Sequence, residues 1–405
     1  MHASLKQLRF SVVPLPVEGS RPVELARTIA VHPLTYQELP YDPEYSLYAG
    51  RLNPEKLTNA TPEEMYWKVR QEVIFRHTGE YPYEISGPDA LKLLQRIFPR
   101  DVTKVKKGRC SYQFACYHDG GMITDGIMLR VDEDQYWMVQ ADGELFTWYK
   151  AHSEGLDVTI SDPDVWVSQI AGPRSMELLE SLIDGPMPDP WRYFDWVEVT
   201  MAGEQVIISR TGFTNELGWE IYFRPQNNIE MLGDLILDEG GKMGMILTAT
   251  PGNRCRRIEA GLLSAGQDFT DKTVPFAVGL GRYIDFEKGD FIGRTALMAA
   301  DRENRSWGIR VEAGTALRGD TLLCNGQPIG RVTSSTWSPY QVCGVGIVLL
   351  NDAYLGSGSV VDVQCTDGTL RQGELCSLPM YDPKGDIVRG ISETIPIGPE
   401  PWAGI

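Results

Sequence analysis

Arg210-Thr-Gly-Phe-Thr-Asn-Glu-Leu-Gly-Trp-Glu-Ile-Tyr-Phe223 is the stretch on which the reading of this chain turns. It follows Glu204-Gln-Val-Ile-Ile-Ser209, an apolar run, and closes on Trp219-Glu-Ile-Tyr-Phe223. Both flanks are rich in β-branched or aromatic residues and have strand character. Between them Thr211, Gly212, Thr214, Asn215 and Gly218 supply turn chemistry, so two strands joined by a tight polar loop are expected. Glu220 interrupts the second strand. Either it is the outward residue of a half-buried strand, or it is buried with a partner. In the second case an ionised carboxylate matches a flat, amidine-like donor edge. The N3–H and 2-amino group of a pterin form such an edge.

The whole chain sets the frame. Its 405 residues allow two or three domains, and 42% hydrophobic with 23% charged residues is a globular composition. There is no apolar run of 18 residues and no convincing signal peptide, so a cytoplasmic protein with no membrane span is expected. The net charge of −17 argues against a nucleic-acid partner. Cysteines are odd in number (7) with no Cys-x-x-Cys, and the 5 histidines are scattered, His118 included. A disulfide framework and a bound metal are therefore not expected.

Residues 1–60 are proline-rich with little periodicity and read as an N-terminal arm, Leu39–Tyr45 as loop. A helix is expected from Thr61-Pro-Glu-Glu, with Thr61 as N-cap and Pro62 in the first turn. An internal echo follows: Ile85-Ser-Gly-Pro-Asp-Ala-Leu-Lys-Leu-Leu94 and Ile170-Ala-Gly-Pro-Arg-Ser-Met-Glu-Leu-Leu179. Each reads strand, Gly-Pro turn, helix, which points to a pseudo-repeated α+β core built on antiparallel sheet. Ser111–His118, Asp119-Gly-Gly121 and Met122–Val131 read as a hairpin, with Asp125 either a surface or bulge residue or a functional carboxylate. Trp191, Tyr193, Phe194 and Trp196 form an aromatic patch, either core or a wall for a cationic ligand. From residue 303 to 395, short strands and turn signals indicate an all-β barrel-like domain, followed by a tail, 396–405.

Thr211-Gly-Phe-Thr-Asn-Glu-Leu-Gly-Trp-Glu-Ile221 resembles the Thr-Gly-Tyr-Thr-Gly-Glu-x-Gly-Phe-Glu-Ile signature of the folate-dependent aminomethyltransferases, the T-protein of the glycine cleavage system and its relatives. The resemblance spans roughly residues 62 to 385 and implies a two-subdomain folate-binding region over 61–302. It implies that Glu220 holds the pterin and that Tyr112 contacts folate. It also puts Asp125, in a hairpin that commonly reads Gly-Gly-x-x-Asp-Asp, beside the reacting folate nitrogens. Gln140 falls on a folate-contacting Asn. Gly252-Asn-Arg-Cys-Arg-Arg-Ile-Glu-Ala-Gly-Leu-Leu263 matches the family at Arg257 and Glu259, but the family's folate-contacting Arg falls on Asn253. That departure, with Gln267–Asp271 and Phe291–Leu297, looks closer to the dimethylsulfoniopropionate demethylase branch.

The expected activity is a methyltransferase, or demethylase, moving a methyl group from a small methylated donor to N5 of tetrahydrofolate. Asp125 is the catalytic candidate. Tyr112, Gln140, Glu220, Asn253 and Arg257 are the folate-binding candidates, and Trp191, Tyr193 and Trp196 the donor-binding ones. Alternatives are a glycine-cleavage aminomethyltransferase working with a lipoyl-carrier protein, an aryl-methyl-ether demethylase, and a folate-binding protein without turnover. A homodimer is left open.

Overall fold

In the computed structural model, which describes residues 29–392 and 394–405, the Gly-Pro echo becomes two matched units in two different sheets. The first runs from strand Tyr81–Ser86 into helix Ala90–Ile97, the second from strand Trp166–Ala171 into helix Ser175–Leu182. Both turn glycines have left-handed φ, 118° at Gly87 and 125° at Gly172. In both, a Cβ would run into a backbone carbonyl, 2.8 Å from Asp157 O and 2.3 Å from Glu72 O. Two residues on, Asp89 N and Arg174 N donate to those same carbonyls, each at 3.1 Å. The glycine thus permits the close approach that the following amide converts into a hydrogen bond.

The first unit lies in a five-stranded sheet ordered Cys110–Cys116, Met122–Asp132, Gln135–Gln140, Tyr81–Ser86, Thr159–Ser161. The second lies in a six-stranded sheet ordered Trp196–Met201, Glu204–Ser209, Gly218–Phe223, Trp166–Ala171, Ile74–His77, Ile246–Leu247. Each sheet buries one face under its own helices. Leu93, Leu94 and Ile97 pack with Met128, Tyr136 and Met138 in one core. In the other, Leu178, Leu179, Leu232 and Ile236 pack with Trp219, Ile221 and Phe223. The opposite faces meet through a third apolar layer that includes Trp137, Val139, Val167, Ile207 and Tyr222. Side chains alternate along a strand, so Trp219, Ile221 and Phe223 face the helices while Glu220 and Tyr222 turn toward the layer between the sheets.

Thr61 caps helix Pro62–Gln71 in a full capping box with Glu64. Of the expected arm, residues 1–28 lie outside the described residues. Residues 29–60 are packed rather than free: Val31, Leu34 and Leu57 are buried, and Glu44–Tyr48 pairs with Arg51–Lys56 as a hairpin. Their prolines break helical periodicity without preventing burial, which is why the segment looks structureless from sequence. Residues from Ser306 onward close a six-stranded antiparallel barrel around Ile309, Val332, Val348 and Leu375. No helix among the described residues is long and apolar enough to cross a membrane.

Candidate functional site

A cavity of about 560 Å³ opens where the inter-sheet layer meets the barrel. That is a size common among small-molecule sites, roughly 300–1,000 Å³. The hairpin Cys110–Cys116/Met122–Asp132 pairs Phe114 with Asp125 and Tyr112 with Ile127. Period-two alternation therefore puts Tyr112, Asp125 and Ile127 on one face, and all three line the cavity. The Tyr112 hydroxyl donates to Asp125 Oδ2 at 2.7 Å.

Glu220 reaches the cavity from the middle of the other sheet. Its cross-strand neighbours are Ser209 and Gln169, and Gln169 in turn pairs with Arg76. A polar row thus crosses an otherwise apolar sheet. The hydroxyls of Thr211 and Tyr222 both donate to Glu220 Oε2, Tyr222 at 3.2 Å. The Ser209 hydroxyl adds a further hydrogen bond to this carboxylate, which lines the cavity. The loop beneath it is fixed by the first acid of the motif: buried Glu216 bonds Arg256 and meets Arg70 Nε at 3.3 Å. Asn215, in the left-handed region at φ 56°, completes the tight turn.

Residues 32–288 match the family described as GCVT N-terminal domain, and residues 304–382 the Glycine cleavage T-protein C-terminal barrel domain. The chain belongs to the glycine cleavage T-protein family. It is similar to dimethylsulfoniopropionate demethylase of Ruegeria pomeroyi, 30% identical over 305 residues, covering 73% of this chain and 83% of that protein. It is equally similar to the aminomethyltransferase of Bacillus subtilis, 32% identical over 319 residues, covering 75% and 86%. The crystal structure of glycine cleavage system aminomethyltransferase T from Bartonella henselae superposes with a TM-score of 0.78 at 20% identity, over 87% of this chain and 98% of that one, and shows the shared fold. The family is one of folate-dependent enzymes that use tetrahydrofolate.

Within this T-protein fold the remaining candidates separate. Tyr193 lines the cavity with Phe194. Trp191 does not: it stacks edge-on against Trp219, ring centroids 4.6 Å apart, in the helix-side core. Trp196 lies in the inter-sheet layer. The expected aromatic wall over 191–196 is therefore reduced to its middle. Burying a large indole removes much apolar area from water, and both tryptophans take core positions. Gln140 points away from the cavity, as its neighbours Val139 and Ala141 line it. Its Nε2 donates to Gly143 O at 3.0 Å on the other side of the sheet. Asn253 lies one layer behind the site, donating to Gln169 Oε1 at 3.3 Å beside Glu220. Arg257 is a strut between helix and barrel, bonding Asp268 and Ser334 at 2.8 Å each. None of Gln140, Asn253 and Arg257 lines the cavity.

Sequence reasoning missed Tyr48, Glu80, Arg282, Tyr283 and Trp307, all of which line it. Glu80 stands out because its Oε2 is buried without a hydrogen-bond partner. In sequence it sits in Thr78-Gly-Glu80 between two strands and reads as an exposed turn; only the packing of sheet on sheet turns it inward. Tyr48 comes from the hairpin within the supposed arm. The cavity thus holds three carboxylates, Glu80, Asp125 and Glu220, against one cationic side chain, Arg282.

Burial pushes Glu220 up to about 7, with the negative charge of Glu80 adding to it. Burial likewise raises Asp125 to about 6, opposed by the hydrogen bond from Tyr112. A donor edge binds the ionised form of Glu220. The competent fraction rises from about a tenth at pH 6 to about nine tenths at pH 8, so tetrahydrofolate affinity should strengthen about tenfold across that interval. Titration calorimetry at the two pH values checks this, and affinity that falls with pH would refute it. Without ligand the sign for stability is opposite. A carboxyl raised in the folded state binds its proton more tightly there, so stability is lost as pH rises from about 4.5 through about 7.

Proposed function

We propose that this chain transfers a methyl group from a small methylated cation to N5 of tetrahydrofolate. The observation that carries the reading is the charge of the cavity. Three carboxylates and a lining of Tyr48, Tyr112, Tyr193, Phe194 and Trp307 surround a space with one arginine. A neutral pterin engages one carboxylate edge, which Glu220, oriented by Thr211 and Tyr222, offers to the cavity. The surplus negative charge and the aromatic faces favour a cationic second substrate, each ring by about 0.5–2 kcal/mol.

When bound, tetrahydrofolate supplies N5 as the nucleophile that takes the methyl group. Glu220 fixes the pterin in the plane set by Thr211 and Tyr222. The Asp125 carboxylate, oriented by the Tyr112 hydroxyl, accepts the proton that N5 loses as its new bond to carbon forms. The donor's bond to the methyl carbon breaks with its electron pair remaining on sulfur or nitrogen. A neutral thioether or amine leaves, and no general acid is required of the chain. Catalysis is then mainly positioning and charge complementarity.

The test is incubation of the protein with tetrahydrofolate and a donor panel, read by mass spectrometry for 5-methyltetrahydrofolate. Dimethylsulfoniopropionate, a quaternary ammonium and an aryl methyl ether separate the cationic reading from the ether one. Glu80→Gln should raise the apparent KM of a cationic donor at least about fivefold, a loss of about 1 kcal/mol, while tetrahydrofolate affinity near pH 7 holds or strengthens, because the Glu80 charge no longer raises Glu220. Better turnover with the uncharged ether, or a Glu80→Gln variant indifferent to donor charge, would count against it.

A further inference from the structure

The hairpin that carries Tyr112 and Asp125 turns at Tyr117–Gly121, and the outer side of that turn borders a second groove of about 600 Å³. It shares no lining residue with the cavity of Asp125 and Glu220. Four parts of the chain build it. Lys92 and Arg96 come from helix Ala90–Ile97, His118 from the turn, His152 from the end of helix Leu145–His152, and Arg294 from the segment after Asp290. In a chain of net charge −17, this groove gathers three cations and two imidazoles against one carboxylate, Asp290.

The arginines are the anomaly. With 55 acidic residues against 38 basic ones, carboxylate partners are abundant. Yet among the described residues neither Arg96 nor Arg294 has one. Arg96 Nη1 donates to the His152 carbonyl at 2.8 Å, and Arg294 Nη2 to the Phe286 carbonyl at 3.2 Å. Arg294 Nε and His152 Nε2 are buried with no hydrogen-bond partner at all. The His152 ring is held edge-on by Trp148, centroids 4.4 Å apart, and lies 5.7 Å from the His118 ring. Guanidinium groups bonded only to single carbonyls, with Arg294 Nε and His152 Nε2 unpartnered in the same concavity, call for ligand oxygens. A planar carboxylate would occupy one fork. Donors arriving from four directions suit a tetrahedral oxyanion with three or four acceptor oxygens.

We propose that this groove is a binding site for a phosphate group, either free phosphate or the terminal group of a phosphate ester. It is independent of the methyl-transfer reading. Calorimetry on the full chain at constant ionic strength, with inorganic phosphate, pyrophosphate and citrate as probes, tests it. Phosphate should bind with a Kd of about 1 mM or tighter. Arg294→Gln should weaken phosphate about tenfold or more. Lys92→Ala and His118→Ala alter exposed side chains, so they test the site without disturbing the packing, and each should weaken phosphate about threefold. The imidazole resonances of His118 and His152 should shift during the same titration. A free-phosphate source is indicated if phosphate matches pyrophosphate, an ester source if pyrophosphate is much tighter. Citrate binding more tightly than either, phosphate affinity unchanged in all three variants, or no binding at about 10 mM would overturn the proposal.

Discussion

Asp125→Asn should lower the single-turnover rate of methyl transfer by roughly 10²–10⁴-fold while leaving the melting temperature where it is or slightly higher. The substitution keeps the shape and an acceptor for the Tyr112 hydroxyl, which bonds Oδ2 at 2.7 Å. What disappears is the charge that takes the proton from N5. Burial already raises Asp125 to about 6, so the ionised carboxylate is held at a cost in free energy that a neutral amide does not carry. Loss of rate without loss of stability is the signature of a group working on substrate. A variant that turns over like the parent chain would reduce Asp125 to a residue of the hairpin.

Glu220→Ala should abolish most tetrahydrofolate binding. Removing one partner of a buried charged hydrogen-bonded pair costs about 2–5 kcal/mol, which is about thirtyfold or more in Kd. The fold should survive, because Glu220 is not part of the buried ion network that secures the loop. That work is done by Glu216 with Arg70 and Arg256. Calorimetry with tetrahydrofolate, beside circular dichroism of the variant, measures both halves. Unchanged affinity in a folded variant would remove the carboxylate from the pterin site.

The two carboxylates stand differently with respect to the sequence. Glu220 announced itself as a charge inside an aromatic strand, but alternation alone favoured a place in solvent. The decision came from a second sheet packed over that face, with Trp137 of one sheet 6.2 Å from Tyr222 of the other. Gln140 failed as a cavity residue by a single position: the strand offers Val139 inward, and a period of two sends the next side chain to the opposite face. Within Trp191–Trp196, four aromatics close in sequence divide among the helix-side core, the inter-sheet layer and the cavity. No periodicity distinguishes them, because the segment before the strand is irregular.

What the sequence determined by itself is local and repetitive. The capped helix at Thr61, the twin Gly-Pro units, the Asp-Gly-Gly hairpin, the β-rich C-terminal region and the polar loop before Glu220 follow from dihedral preference, capping and alternation, each acting over a few residues. What only the tertiary structure decided is which charges share a space. Glu80, Asp125 and Glu220 are far apart in the chain, and Tyr48 belongs to a segment with no pattern of its own. They become one cavity because two sheets bury their inner faces against each other beside a barrel. Burial then raises the pKa of Asp125 and Glu220. Desolvation is a property of the assembled surroundings and not of any stretch of residues.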